Sequence, residues 1–226
     1  MSFNLGDSFK KFTQSVKEKT GLAEPTKDPQ EVLEAISSIK LIAREANDVQ
    51  AAAKRWHTRE LDAIEGLKVF ASASSSCNES SSNLRDSLPS TLIATANARS
   101  EMLSVFKIEF LDVIGRFIDN ELRLAEKAQK KNADARLDFD AKTADYLRLT
   151  DSRSARAMEI DIAKRKMDEA EQAYSQARRD FLSAAEICQE KKATLYKTNI
   201  ATFASAMGKA YSDCSEASQK LARDCY

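Results

Sequence analysis

The sequence predicts an all-α protein in which long helices pack against one another as an antiparallel coiled coil. Its 226 residues include only 5 Gly and 3 Pro, so few positions force a helix to stop. Charged residues make up 31% of the chain and aromatic residues 7%, a balance closer to long helices than to a compact enzyme core. Apolar residues also recur in steps of three and four along most of the chain, which is helical spacing.

Residues 1–27 are predicted to form a separate amphipathic segment. Its apolar side chains follow steps of four, three and four, which places them on one helical face: Leu5, Phe9, Phe12 and Val16. Basic side chains lie mostly on the other face: Lys10, Lys11 and Lys17. Gly21 is suited to end this helix, and Pro25 prevents its simple continuation. A helix of this length is marginal in water, so it needs an apolar surface on which to fold. Lipid, a groove on a partner protein and the protein's own body each offer one, and the basic polar face favours lipid.

Residues 28–226 are predicted to form one domain of three long helices. Asp28-Pro29-Gln30-Glu31 has the pattern of a helix start, with Asp28 as the N-cap and Glu31 completing a capping box. Apolar spacing then continues to Phe70. The Ser-rich stretch from Ser72 to Ser82 is either a loop or a weak, exposed end of this helix.

The second predicted helix follows Pro89, which we expect to break the chain. Helical spacing is kept by a long series of apolar residues: Leu103, Phe106, Phe110, Val113, Phe117, Leu124, Ala128, Ala135, Phe139, Tyr146 and Leu149. Gly115 is a candidate for a bend within it. The polar stretch of residues 150–156 interrupts the pattern and separates the second helix from the third.

The third helix carries a heptad seam: Ile160, Ala163, Met167, Ala170, Tyr174, Ala177, Phe181, Ala184 and Cys188. Small residues alternate with large ones along it, which indicates close helix packing in a core and no cofactor. The first and third helices also show apolar residues outside a single stripe: Leu33, Ile42, Val49, Ile162, Ile187 and Phe203. A homodimer would bury this second seam, whereas a lone three-helix rod of the spectrin-repeat kind would not.

Composition and motifs argue against several function classes. Lys plus Arg equals Asp plus Glu, 35 of each, so no overall field draws the chain to nucleic acid or to membrane, and any electrostatic binding must come from segregated charge. The four Cys show no CxxC pair and the single His57 stands in a polar helical context, so we expect neither a metal site nor a catalytic His. The five Gly are scattered singly, without a phosphate-binding loop. We therefore expect no enzyme activity, no cofactor and no small-molecule substrate.

The sequence also predicts a cytoplasmic protein. Its apolar runs fall well short of the length of about 20 residues that a membrane-spanning helix needs. The N-terminus lacks the compact apolar region of a secretory signal.

Two motifs carry a resemblance to a known family. Leu137-Asp138-Phe139-Asp140 resembles the signature in the second helix of N-BAR proteins of the endophilin and amphiphysin kind. The run of residues 13–21, Thr-Gln-Ser-Val-Lys-Glu-Lys-Thr-Gly, followed by Ala23-Glu24 and Thr26-Lys27, resembles the N-terminal helix of the same family. The resemblance implies a crescent-shaped homodimer that is peripherally associated with membranes and senses or generates their curvature, in endocytosis or vesicle trafficking. It makes residues 1–27 a membrane-inserting segment and residues 28–226 a BAR domain.

The resemblance also implies which residues bind the phosphates of anionic phospholipids. Besides the basic residues of the N-terminal segment, it assigns two groups in the domain. The first group is the concave pair Lys130 and Lys131, with Arg136 and Lys142 further toward the tip. The group at the tip is Arg148, Arg153, Arg156, Lys164, Arg165 and Lys166. The sequence departs from the family at Thr143-Ala144-Asp145, where further basic residues are expected, so we expect the tip group to matter more.

A second function class fits the same pattern. A coiled-coil scaffold that never touches membrane would use its N-terminal helix to dock in the groove of a partner protein. Vesicle binding distinguishes the two classes.

Overall fold

The computed structural model describes residues 26–76, 82–152 and 156–224. The predictions made for the N-terminal segment up to residue 25 and for Arg153 lie outside these ranges. The described residues contain helices and no strands. The predicted all-α class is therefore confirmed.

Three long helical stretches make up the described chain. The first is α1 (Gln30–Ser75). The second is continuous from residue 82 to residue 150 and consists of α2 (Ser82–Phe106), the π-helical turn π1 (Lys107–Leu111), α3 (Asp112–Phe117), the π-helical turn π2 (Ile118–Leu122) and α4 (Arg123–Thr150). The third is α5 (Ala157–Asp224). The predicted interruption at residues 150–156 is confirmed.

The start of α1 differs slightly from the prediction. The backbone N–H groups of Val32 and Leu33 donate to the carbonyl oxygen of Pro29, at 3.0 and 3.3 Å. Pro29 therefore occupies the N-cap position, and proline suits the start of a helix because it has no N–H to leave unpaired. The carboxylate of Asp28, predicted as the cap, instead accepts a hydrogen bond from Tyr174 of α5.

The predicted break at Pro89 is wrong. Helix α1 continues through the first serines of the Ser-rich stretch to Ser75, and α2 begins at Ser82 and passes through Pro89. Proline removes one helical hydrogen bond and crowds the preceding turn. Tertiary contacts on either side offset this, because Ser87 and Thr91 are buried and the Thr91 hydroxyl donates to the carbonyl oxygen of Ala217 at 3.5 Å.

The two π-helical turns set the register of the second stretch. Phe117 and Leu122 are both buried although they lie five positions apart, a step that an α-helix would place on different faces. Turn π2 spans this step and returns Leu122 to the buried face. The α-helical spacing of the sequence predicts Leu124 there, but its side chain is 62% exposed. The predicted bend at Gly115 lies between these two irregular turns.

The chain divides into two compact units. Unit 1 comprises residues 1–42 and 120–189, and unit 2 comprises residues 43–119 and 190–226. In unit 1, α4 is antiparallel to α5, as shown by the Lys131–Asp180 and Phe139–Tyr174 contacts. In unit 2, α2 is antiparallel to α5, as shown by the Glu101–Lys209 and Thr91–Ala217 contacts.

The core of each unit follows the predicted stripes. On α5, most residues of the predicted seam are buried: Ala163, Ala170, Tyr174, Ala177, Phe181 and Cys188. Ala185 replaces its neighbour Ala184 as the buried residue. Cys188 and Cys214 are not joined in a disulfide. Among the described helices, none combines the length and apolarity needed to cross a bilayer.

Candidate functional site

The start of α5 presents a basic triplet formed by Lys164, Arg165 and Lys166. All three residues are exposed, and they directly follow the buried Ala163. No described acidic residue holds any of them in an ion pair. A compact set of cations that lacks an internal partner is suited to bind an anionic surface.

Helix α5 is capped just before the basic triplet. The carboxylate of Glu159 accepts a hydrogen bond from the backbone N–H of Arg156 at 3.2 Å, while the Arg156 carbonyl oxygen accepts from the N–H of Glu159 at 2.9 Å. The bond to the Glu159 carboxylate is the N3 half of a capping box, and the backbone carbonyl of Arg156 takes the place of the side-chain acceptor in the other half. It fixes the first turn of α5 and leaves Arg156 exposed.

The α4 lysines, Lys130 and Lys131, differ from the basic triplet because one of them forms an ion pair within the protein. Both are exposed, but the Lys131 ammonium lies 3.3 Å from the Asp180 carboxylate. Hydrogen bonds from Gln176 and then from Lys131 hold the pKa of Asp180 below its usual value. Close to the end of α4, Arg148 lies 3.7 Å from Asp145, so one of the expected cations has an acidic neighbour there. Lys142 is partly buried.

Arg136 has acceptors within the protein. Its guanidinium donates to the carbonyl oxygen of Thr26 at 2.9 Å and lies 3.9 Å from the Asp28 carboxylate. Its side chain is only 19% exposed. This geometry gives Arg136 a structural role in unit 1 that the sequence analysis did not foresee.

Arg136 belongs to an anchor cluster formed by Thr26, Asp28, Arg136, Asp140 and Tyr174. The hydroxyl of Thr26 donates a short hydrogen bond to Asp140, and the Thr26 N–H lies 3.4 Å from the other carboxylate oxygen. The Tyr174 hydroxyl donates to Asp28 at 2.9 Å. The cluster therefore joins the residues that precede α1 to both α4 and α5.

Because they are buried, the polar groups of the anchor cluster depend on one another as hydrogen-bond partners. Asp140 is 7% exposed and Tyr174 is 6% exposed, and a buried carboxylate is strongly disfavoured unless donors surround it. The Tyr174 ring stacks on Phe139 with centroids 6.1 Å apart. Phe139 and Asp140 are the last two residues of the signature noted above, so this motif supplies both an apolar and a charged contact.

Unit 2 contains an open apolar groove between α1, α2 and α5. Its volume is about 740 Å³, and large side chains line most of it: Trp56, Phe106, Phe110, Phe203, Met207 and Tyr211. Phe106 lies at the centre of a ring cluster, 4.6 Å from Trp56 and 4.7 Å from Phe203 between centroids. At the edge of the groove, Arg99 donates twice to one oxygen of Glu60, at 2.6 and 3.1 Å.

The six residues predicted to form a second apolar seam fall into three groups. Ile42 is buried in the core, so that assignment was wrong. Leu33, Ile162 and Ile187 are exposed in unit 1. Val49 and Phe203 are partly buried and line the groove of unit 2.

The described residues contain no group of three or more His, Cys, Asp or Glu side chains arranged to hold a metal ion. His57 stacks against Phe106 at a centroid distance of 6.5 Å and so belongs to the ring cluster.

Comparison with known proteins identifies the family. The model of the BAR domain family matches residues 5–225, almost the whole chain. The chain belongs to the BAR domain family. A search of curated proteins by sequence gives no significant match.

Two solved structures share the BAR fold with this chain. The amphiphysin BAR domain from Drosophila has a TM-score of 0.72 and 13% sequence identity, and the match covers 90% of this chain and 98% of that one. The N-terminal I-BAR domain of IBARa from D. discoideum has a TM-score of 0.53 and 11% identity, with 87% of this chain and 89% of that one covered. The family is a structural, membrane-binding module, and membership supports a role in sensing or generating membrane curvature.

Two parts of this BAR domain cannot be found from helical spacing. The spacing predicts a core position for Tyr174 and indicates no partner for Thr26, and it places the residues of the ring cluster on three separate helical stripes. The sequence signal for the anchor cluster is the pair of family motifs, because one contains Thr26 and the other contains Asp140.

Proposed function

We propose that this BAR domain is of the N-BAR type and acts as a homodimer on the cytosolic face of anionic membranes, in endocytosis or vesicle trafficking. In this proposal residues 1–27 insert into one leaflet and residues 28–226 form the dimeric, membrane-adsorbing body. Family membership supports the membrane role, and the amphipathic pattern of the first segment supports the subtype.

The exposed basic triplet is the observation that carries the membrane proposal. Each Lys or Arg close to an anionic surface contributes about 1 kcal/mol, and the three residues are adjacent in sequence and exposed together. Further lipid contacts are proposed for the remaining predicted cations: Lys10, Lys11, Lys17, Lys130, Lys131, Lys142, Arg148, Arg153 and Arg156. Arg136 was also predicted to bind lipid phosphate, but its bonds to Thr26 and Asp28 support a structural role instead.

The apolar groove of unit 2 supports the homodimer. Aromatic and Met side chains that line an open groove expose apolar surface, which is unfavourable in water and typical of a surface that another chain covers. A second copy of this chain supplies the same groove and the same rings, so that a twofold arrangement covers both at once.

The N-terminal segment adds an apolar contribution to the electrostatic one. A large apolar side chain that is fully removed from water contributes about 1.5 to 3 kcal/mol. The summed apolar contribution therefore exceeds the free-energy cost of ordering a short helix, even with partial insertion of the four side chains Leu5, Phe9, Phe12 and Val16. A dimer carries two such segments, and their avidity raises the affinity further.

Substitution in the apolar face tests the proposal. We expect Phe9→Glu and Phe12→Glu to weaken sedimentation with anionic vesicles while circular dichroism shows that the helical body is retained. Leu41→Glu, which adds the same charge at an exposed position of α1, is the matched control and should bind as the wild type does.

Unchanged vesicle binding by both N-terminal variants would contradict insertion. Absence of vesicle binding by the wild type would favour the coiled-coil scaffold that docks its N-terminal helix on a partner protein.

A further inference from the structure

We propose that the anchor cluster is a positioning device, which couples insertion of the N-terminal segment to the body of the BAR domain and is needed to bend a membrane more than to bind it. The inference rests on the proposed function of that segment. Its new content is the role of Thr26, Asp28, Arg136, Asp140 and Tyr174.

The anchor cluster includes the residues at the end of the N-terminal segment. Thr26 and Asp28 lie between the apolar face of that segment, which ends at Val16, and the first turn of α1, which begins at Gln30. Backbone hydrogen bonds of a helix therefore do not fix these two residues. Side chains of α4 and α5 fix them instead, through contacts that span 110 to 146 positions of sequence.

Helix α1 does not require the anchor cluster as an N-terminal cap. The carbonyl oxygen of Pro29 already accepts the first hydrogen bonds of the helix. Neither the Asp28 nor the Asp140 carboxylate is placed on the N–H groups of that first turn. Both carboxylates bind groups of the junction or of the other two helices, so the contacts hold the junction in place and do not stabilise the helix end.

Thr26 is held through three of its atoms. Its hydroxyl and its N–H donate to the Asp140 carboxylate, and its carbonyl oxygen accepts from Arg136. Contacts at three atoms fix the orientation of a residue as well as its position. A segment that leaves the body at such a residue leaves in a defined direction, whereas a loose tether would let an inserted helix turn independently of the body.

The consequence for the membrane follows from this coupling. A loosely tethered amphipathic helix still inserts, because insertion depends on its own apolar face. The inserted helix then no longer fixes the orientation of the BAR domain on the bilayer, so the helix and the domain act separately. Loss of the anchor should therefore reduce tubulation of vesicles while adhesion remains.

Three substitutions test the proposal in the full chain. Thr26→Val removes the hydroxyl at nearly constant shape, and Thr26→Ser retains it. Tyr174→Phe removes the bond to Asp28 and keeps the ring against Phe139. The matched control is Thr58→Val, at an exposed threonine whose hydroxyl bonds only to a carbonyl oxygen of its own helix, that of Lys54.

The measurements are tubulation of large anionic vesicles, sedimentation with the same vesicles, and hydrogen exchange of the peptide that covers residues 1–20. A hydrogen bond to a charged group is worth enough that its loss should raise the open population of the anchor roughly tenfold. We expect Thr26→Val and Tyr174→Phe to reduce tubulation by up to that factor, because only the closed anchor couples the segment to the body. Sedimentation and vesicle-induced protection of residues 1–20 should stay close to wild type, and Thr26→Ser and Thr58→Val should tubulate normally.

Three results would overturn the proposal. One is normal tubulation by both Thr26→Val and Tyr174→Phe. A second is a parallel loss of tubulation, sedimentation and helicity, which would show that the cluster only maintains the fold. The third is a wild-type segment that vesicles do not protect, which would refute insertion itself and with it the proposed N-BAR function.

Discussion

Tyr174 illustrates how one side chain serves two kinds of contact in this BAR domain. Its ring fills a seam position of α5 and stacks on Phe139 of α4, while its hydroxyl donates to Asp28 ahead of α1. Burial of the ring and the carboxylate beside its hydroxyl both disfavour the phenolate. Together they raise the pKa of Tyr174 from 10.0 to about 12.

This shift predicts a dependence of stability on alkaline pH. A pKa that is raised in the folded state means that the protonated phenol contributes stability below pH 10 and that this contribution is lost as the pH rises through about 12. We expect an ultraviolet titration of phenolate to show a tyrosine ionising near pH 12 in the wild type that is missing in Tyr174→Phe.

Tyr196 also has a pKa raised by burial, so the difference between wild type and Tyr174→Phe is the relevant quantity. The assignment would be contradicted if the phenol lost in the variant titrated near its ordinary value.

The anchor cluster also shows where sequence reasoning ends at this scale. Asp140 was recognised because it belongs to a local motif of four residues. Its partner Thr26 lies 114 positions away, and periodicity carries no information about which residues of different helices meet. Arg136 was assigned to lipid because its charge was visible in the sequence while its acceptors were not.

At the scale of elements, the predicted helices agree with the structure wherever the period is regular. The seam of α5 keeps steps of three and four and is buried as expected. The second helical stretch departs from the prediction at two places where backbone geometry, not composition, decides. The chain stays helical through Pro89, and π2 moves the buried face from Leu124 to Leu122. Neither feature can be detected when apolar residues are assigned to a face at the regular α-helical period.

The difference between the basic triplet and the α4 lysines predicts unequal contributions to membrane binding. Reversal of Lys164 and Lys166 to Glu removes two attractive contributions of about 1 kcal/mol each and adds two repulsive ones of similar size, for a total of about 4 kcal/mol. This corresponds to roughly a thousandfold loss of affinity per protomer before salt screening. Lys131 already neutralises Asp180, so reversal of Lys130 and Lys131 should cost less membrane affinity.

Sedimentation with strongly anionic vesicles at several salt concentrations measures both variants, and the mass of each variant shows whether assembly is intact. An equal or larger loss from the Lys130 and Lys131 reversal would place the main attraction on α4.

At the scale of the whole molecule, each unit carries a feature of its own. Unit 1 carries the basic triplet and the anchor cluster, and unit 2 carries the apolar groove with its ring cluster. The comparison with the amphiphysin BAR domain shows that the fold persists at 13% identity. Helical period and apolar pattern therefore maintain the fold at this low level of sequence identity.

The groove predicts how assembly can be disrupted. Tyr211→Asp places a carboxylate at an exposed position of the groove, so the monomer should fold, but association would bury the charge. An unpaired carboxylate in an apolar interface costs several kcal/mol, so we expect the dimer to weaken by more than about a hundredfold.

Sedimentation equilibrium at micromolar concentration checks this prediction, with Leu147→Asp at an exposed position of unit 1 as the control. A monomeric wild type with full helicity would contradict the homodimer, and a dimeric Tyr211→Asp would remove the groove from the interface.

The π-helical turn π2 has a consequence for insertions and deletions in this chain. Because Phe117 and Leu122 are five positions apart on one face, the turn behaves as a helix with one residue inserted. Deletion of the exposed Asn120 would shorten the step to four and let an ordinary α-helical turn carry Leu122 to the same place. Deletion of the exposed Lys127, only seven positions later, would instead rotate the rest of α4 by about 100° and turn Arg136 and Asp140 away from Thr26. We expect thermal unfolding to be nearly unchanged by the first deletion and strongly lowered by the second, so that neighbouring positions of one helix differ sharply in their tolerance to the loss of a residue.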